Sequence, residues 1–271
     1  MRIREFFKSI PVVYKTFSKI RAAYRGYVKY KMDPARRLRR IFSNRQEVSI
    51  VQIGSNDGNL GDPIYSLLSR HHTWKALLVE PVPFLFERLR QTYAGHLNCR
   101  FDNVAIGAQN GVSRFYYVDP AAKEAIPDLP PWYDQLGSFD PNHINKHFGN
   151  KVDEFILTED ILTVPLSILF ERNGIDKIDI LHIDTEGYDW IILKQLDLNK
   201  YSPEVILVEH VHLSDSSRKE LQSFLNRSYK ISDYNGDYFC SRINLPEVYR
   251  QVAWSFILPA SGQIFSRYTK T

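Results

Sequence analysis

The chain's 271 residues suffice for one large domain or two small ones, and an apolar fraction of 44% provides material for a true core. Two cysteines, Cys99 and Cys240, exclude a disulfide framework and point to a reducing compartment, and no uncharged apolar run reaches the roughly 18 residues of a membrane span. The formal charge of +4 hides a division: residues 1–47 hold 14 Lys/Arg against 3 Asp/Glu, and the remainder 21 against 28.

Residues 1–46 read as a basic helical arm. Ser9 is placed to cap a helix in which Ile10, Val13, Phe17, Ile20, Tyr24 and Tyr27 recur at three- and four-residue steps. Asp33-Pro34 stops that helix and starts a short basic one running to about Phe42. The aromatic stripe is expected to pack on the body or a second copy of the chain. Peripheral contact with an anionic inner-membrane surface is the next reading, and nucleic acid is not an expected partner. Lys8, Lys15 and Lys19 interrupt any secretory signal, so the expected location is cytoplasmic.

From residue 47 to 271, strand and helix signals alternate as a doubly wound α/β sheet with helices on both faces requires. Val48–Ile53 is the first strand and Ala76–Val79 the second. A helix follows over Pro83–Tyr93, then a third strand over Phe101–Ile106. An additional strand, Ser113–Val118, comes after the Asn110-Gly111 turn. Residues 119–155 break pattern, with five prolines and exposed-looking Trp132 and Tyr133, and read as a lid insertion. Order resumes at Leu162, followed by a helix over Ser167–Arg172 and strands over Ile178–Ile183 and Val205–Val208. A helix at Ser216–Leu225 precedes a C-terminal antiparallel hairpin that turns at Asn235-Gly236.

Ligands of such sheets bind beyond the carboxyl ends of the strands. Polar clusters stand at five of those ends: Gly54–Gly58, Glu80, Asn103, Asp184–Glu186 and Glu209–His212. Glycines let backbone approach a ligand, and an acid ending the second strand suits ribose hydroxyls. A dinucleotide would prefer Gly-x-Gly-x-x-Gly. Here Asp57 sits in the turn, and a carboxylate suits a phosphate-free cationic ligand better than a pyrophosphate.

Four stretches, in order, resemble the FkbM family of S-adenosylmethionine-dependent methyltransferases. They are Val51-Gln-Ile-Gly-Ser-Asn-Asp-Gly58, Leu78-Val-Glu-Pro-Val-Pro83, Asn103-Val-Ala-Ile-Gly107 and Ile178-Asp-Ile-Leu-His-Ile-Asp-Thr-Glu-Gly-Tyr-Asp189. The likeness spans roughly residues 48–243, and the chain has Gln52 where the family pattern has an aspartate. It implies a class I, Rossmann-like methyltransferase sheet, with Gly54, Ser55, Asn56, Gly58 and Glu80 holding S-adenosylmethionine and Asn103 near the adenine. It also implies O-methyl transfer to a hydroxyl of a small molecule or saccharide. A nicotinamide-dependent oxidoreductase and a non-catalytic, membrane-recruited binding module are the rival readings.

A hydroxyl needs help losing its proton at neutral pH. Asp184, Glu186 and His210 are the expected catalytic groups, with Asp184 and His210 converging as a base. His210 could equally be a satisfied core histidine, and His182 reads as structural. A divalent metal on Asp184, Glu209 and His210 ranks below a base, because Glu209 and His210 alternate in direction along a strand.

Overall fold

The computed structural model describes residues 32–243. The aromatic stripe of the arm and the last residues of the chain lie outside them. Helix α1 (Pro34–Phe42) begins as its sequence dictates. Proline occupies the first turn, and the Asp33 side chain accepts a hydrogen bond from the Arg36 N–H at 2.7 Å. Leu38, Ile41 and Phe42 are buried, and so is Arg37, whose guanidinium lies 3.6 Å from the Phe239 ring centre and donates to Ser232. Apolar contact thus bolts the last part of the basic segment to the body.

The body is built on a seven-stranded sheet. Its strands are β1 (Ser49–Ile53), β2 (Lys75–Val79), β3 (Cys99–Asp102), β8 (Ile180–Ile183), β9 (Val205–Glu209), β10 (Tyr229–Tyr234) and β11 (Asp237–Arg242), and their spatial order is β3-β2-β1-β8-β9-β11-β10. The pairs among β3, β2, β1, β8 and β9 are parallel; β11 runs antiparallel to both its neighbours. Strand alternation divides the core in two. Val51, Ile53, Leu77, Val79, Leu181, Ile183, Ile206 and Val208 meet the helices Leu166–Arg172, Asp189–Leu193 and Asp215–Leu225 on one face. Ile50, Ala76, Leu78, Ile180 and Leu207 meet α1, Trp74 and the helix Pro83–Thr92 on the other. Both faces are covered, which is why the central strands read as continuous apolar runs.

A second sheet of four strands extends beyond the carboxyl ends of the first. Its order is β4 (Ala105–Ile106), β7 (Ile156–Val164), β5 (Gly111–Val118) and β6 (Gly137–Ser138). The sequence reading of one strand over Phe101–Ile106 is corrected here: Asn103 interrupts it, and its halves join different sheets. Order also resumes earlier than Leu162. β7 begins at Ile156, but its half-exposed outer portion alternates too weakly to announce a strand.

Residues 119–155 are not patternless. They hold two helices, Ala122–Ala125 and Pro141–Phe148, together with β6 and two 3-10 turns. Ala122, Leu129, Tyr133, Leu136, Ile144 and Val152 form a small core of their own with Val118. Tyr133 is buried, contrary to its sequence reading, with its hydroxyl donating to the Pro120 carbonyl at 2.6 Å. Trp132 is exposed as expected.

Candidate active site

Gly54 has φ +80°, and a Cβ there would lie 1.7 Å from the Asp184 carbonyl oxygen. Only glycine lets the turn after β1 lie against the end of β8. The Gly54 and Ser55 N–H groups both donate to the Val79 carbonyl at 3.0 Å, carrying the turn across the end of β2. Glu80 completes the junction. Its two carboxylate oxygens accept from the Asn56 and Val82 N–H groups, each at 2.9 Å, and burial pushes its pKa up to about 7. Asn103 donates to the Glu80 and Pro81 carbonyls at 2.8 and 2.9 Å. Asp57 caps its own turn, accepting from the Asn59 and Leu60 N–H groups, and lines neither chamber of the cleft described next, so it is not the carboxylate facing a ligand.

Beyond these ends lies a cleft of two chambers. One lies between Glu80, Val104, Ile106, Phe115, Phe139 and Ile192; the other lies against Gln52, Asp62, Trp132 and His182. Gly54, Asn56, Gln135, Asp184 and Glu186 line both. Among the described residues, no lysine or arginine lines either chamber. Ser55 lines the second, whereas Gly58 and Asn103 line neither and shape the turns behind. A Cβ on Gly58 would reach Leu89 and Tyr93 at 2.6 and 2.7 Å, so this glycine allows the turn to rest on its helix. Gln52 donates to Asp62 at 3.1 Å, and burial raises Asp62 to about 6.

The carboxyl groups crowd one another. Burial raises Asp184 well above the usual carboxylate range, and the charges of Glu186 and Asp189 push it further. Glu209 rises to about 11 for the same two reasons, burial first and the neighbouring carboxylates second. Asp189 accepts from the Thr185 and Gly187 N–H groups at 2.9 and 3.0 Å and thereby fixes the loop presenting Asp184 and Glu186.

The expected convergence of Asp184 with His210 does not form. His210 is buried, stacks on Tyr238 at 3.8 Å between ring centres, and has Nε2 3.2 Å from Asp233. Alternation at the end of β9 sends Glu209 toward Asp184 and Glu186, and His210 toward the hairpin. Other imidazoles take its place beside the carboxylates. His143 Nε2 lies 2.9 Å from Glu186 Oε2, and His212 Nε2 lies 3.3 Å from the same oxygen. Burial lowers the pKa of His147 and of His212, and takes that of His182 down to about 4. His143, His147 and Gln135 escaped the sequence reading because they lie within the insertion; the His-x-x-x-His spacing of the first two was the available signal.

A doubly wound sheet with one reversed strand, a glycine turn after β1 and an acid closing β2 define a class I, Rossmann-like methyltransferase. A sequence model of the methyltransferase FkbM domain matches residues 52–231, and the chain belongs to that family of S-adenosylmethionine-dependent enzymes. No curated protein matches its sequence. Among solved structures, human methyltransferase-like protein 13 in complex with SAH is 11% identical, with 89% of this chain and 97% of that one covered at a TM-score of 0.39. The precorrin-6y C5,15-methyltransferase of Geobacter metallireducens is 12% identical, with 76% and 84% covered and a TM-score of 0.38. The Methanococcus jannaschii fibrillarin pre-rRNA processing protein is 12% identical, with 73% and 66% covered and a TM-score of 0.36. Among the described residues, no helix is long and apolar enough to cross a membrane.

Proposed function

We propose that the protein transfers a methyl group from S-adenosylmethionine to a hydroxyl of a small molecule or saccharide. The observation that carries this reading is a cleft walled by Glu80, Asp184 and Glu186, with Asp62 in its second chamber, and lined, among the described residues, by no lysine or arginine. Such a lining suits a cationic ligand and repels a pyrophosphate. Val104, Ile106 and Phe115 offer an apolar slot for an adenine, beside Glu80 and Asn56 for the ribose. When bound, S-adenosylmethionine supplies an electrophilic methyl on a positively charged sulfur.

The chain's own residues supply the rest. Asp184 lines both chambers, and its raised pKa brings it nearer the operating pH than an ordinary carboxylate, as a general base requires. Ionised, it accepts the proton of an acceptor hydroxyl. Trp132 and Leu136 bring the insertion against the second chamber, where they exclude water and select the acceptor.

The full-length protein should form the demethylated cofactor only when a hydroxylated acceptor is present. A panel of monosaccharides, glycosides and polyols, read by mass spectrometry for a gained methyl, tests this. Cofactor binding with no acceptor-dependent turnover would favour a binding module. Tight NAD binding with none of S-adenosylmethionine would favour an oxidoreductase.

A further inference from the structure

Three imidazoles and one carboxylate converge at the rim of the cleft in an arrangement that methyl transfer does not call for. His143 and His147 lie one turn apart on the helix Pro141–Phe148, so both rings leave the same face. That helix starts firmly, with Pro141 in its first turn and Asp140 accepting from the Asn142 N–H at 3.0 Å. His212 comes from the turn after β9. Glu186 comes from the loop after β8, where its φ of +54° is a conformation non-glycine residues seldom hold without a reason.

The three rings form a near-equilateral triangle. Their centres are 4.9 Å apart for His143–His147, 4.9 Å for His143–His212 and 5.1 Å for His147–His212. One nitrogen from each ring and one Glu186 oxygen all lie within 4.8 Å of one another. Bonds of about 2.0–2.1 Å in a tetrahedral site place ligand atoms roughly 3.3 Å apart. The two contacts to Glu186 Oε2, at 2.9 and 3.3 Å, already approach that edge. Small side-chain rotations would close the remainder.

We propose that His143, His147, His212 and Glu186 form a binding site for a divalent transition metal of the zinc class. Three nitrogens and one oxygen in a four-coordinate set match that chemistry, whereas magnesium and calcium call for oxygen donors. Two ligands come from the insertion and two from the carboxyl edge of the seven-stranded sheet, so the ion clasps one to the other. Because Glu186 also lines both chambers, the ion would fix part of the cleft wall. This site stands independently of the methyl-transfer reading.

The test uses tag-free, full-length protein stripped with a chelator and titrated with zinc against a chromophoric competitor. One equivalent should bind, and cobalt should give the intense visible bands of a tetrahedral site. His147→Ala and His212→Ala should each weaken zinc by more than the roughly 10–100-fold that loss of an outer-shell partner costs. Zinc should raise the melting temperature of the parent protein and leave both variants unmoved. His147 is only half-buried, so its variant is expected to fold whatever becomes of the other. Binding far below one equivalent, cobalt bands of a six-coordinate aqua ion, or unchanged affinity in both variants would overturn the site.

Discussion

The carboxyl edge of the seven-stranded sheet and the 119–155 insertion face each other across one cleft, yet different forces hold them. The edge rests on strands buried on both faces, and its polar residues are placed by backbone geometry: a glycine pressed on Asp184, a doubly anchored Glu80, a loop tied by Asp189. The insertion has a core of a few side chains, short helices and a two-residue strand. Polar ties such as Arg88 to Asp134 at 2.6 Å add to it. The edge can therefore hold reacting groups in fixed positions, while the insertion can change shape or sequence without dissolving the sheet. On the proposed function, cofactor chemistry would belong to the first and acceptor choice to the second.

The most severe way to break this arrangement is Gly54→Val. A side chain there collides with backbone at an unfavourable φ, so a loss of about 4 kcal/mol or more, or failure to fold, is expected in denaturant titration. Asp184→Asn should lower turnover by about 10²-fold or more while S-adenosylmethionine affinity changes only a few-fold. The parent enzyme's kcat/KM should rise with pH as Asp184 ionises, in a window above the ordinary carboxylate range. That rising limb should vanish in the variant; its persistence would remove Asp184 from the role of base.

Truncating the two cores separates them. Leu181→Ala in the sheet should cost about 2–5 kcal/mol of global stability. Ile144→Ala in the insertion should mainly raise amide exchange within residues 119–155. Equal global destabilisation by both would merge the two regions into one cooperative unit.

The pH dependence of stability probes the acidic edge. Asp62, Glu80 and Asp189 titrate near 6 and 7 in the folded chain, above their unfolded values of roughly 4. Their contribution is fully present below about pH 4 and is lost as the pH rises through 6–7. His182, lowered to about 4, opposes them: its contribution is present above about 6.5 and lost toward pH 4. Glu80→Gln should flatten the decline between about pH 4 and 7, and an unchanged slope would contradict the burial cost assigned to Glu80. The smallest effect is expected from His210→Ala, whose ring faces Tyr238 and the hairpin: turnover within about three-fold of the parent.

Legibility followed the same division. Apolar strands ending in Gly54, Glu80 and Asp184 announce themselves locally, because strand, turn and end residue are contiguous in sequence. So does α1, with Asp33 and Pro34 at its start. What the sequence left hidden depends on long-range pairing or on direction at a strand end. Asn103 dividing one apolar run between two sheets, the outer half of β7, and the burial of Tyr133 are of the first kind. The choice between Glu209 and His210 is of the second, since one residue of extra strand exchanges which side chain meets Asp184 and Glu186. His143 and His147 escaped because their partners outside the insertion, Glu186 and His212, stand far away in sequence, 43 positions for His143 and Glu186.

The central claim is that this cleft accepts S-adenosylmethionine, and calorimetric titration of the full-length protein tests it most directly. S-adenosylmethionine and its demethylated product should each bind at one site. Gly58→Leu should weaken both through the shifted turn, and Glu80→Ala through the lost carboxylate. NAD should give no heat. Saturable NAD binding with no response to S-adenosylmethionine would contradict the account.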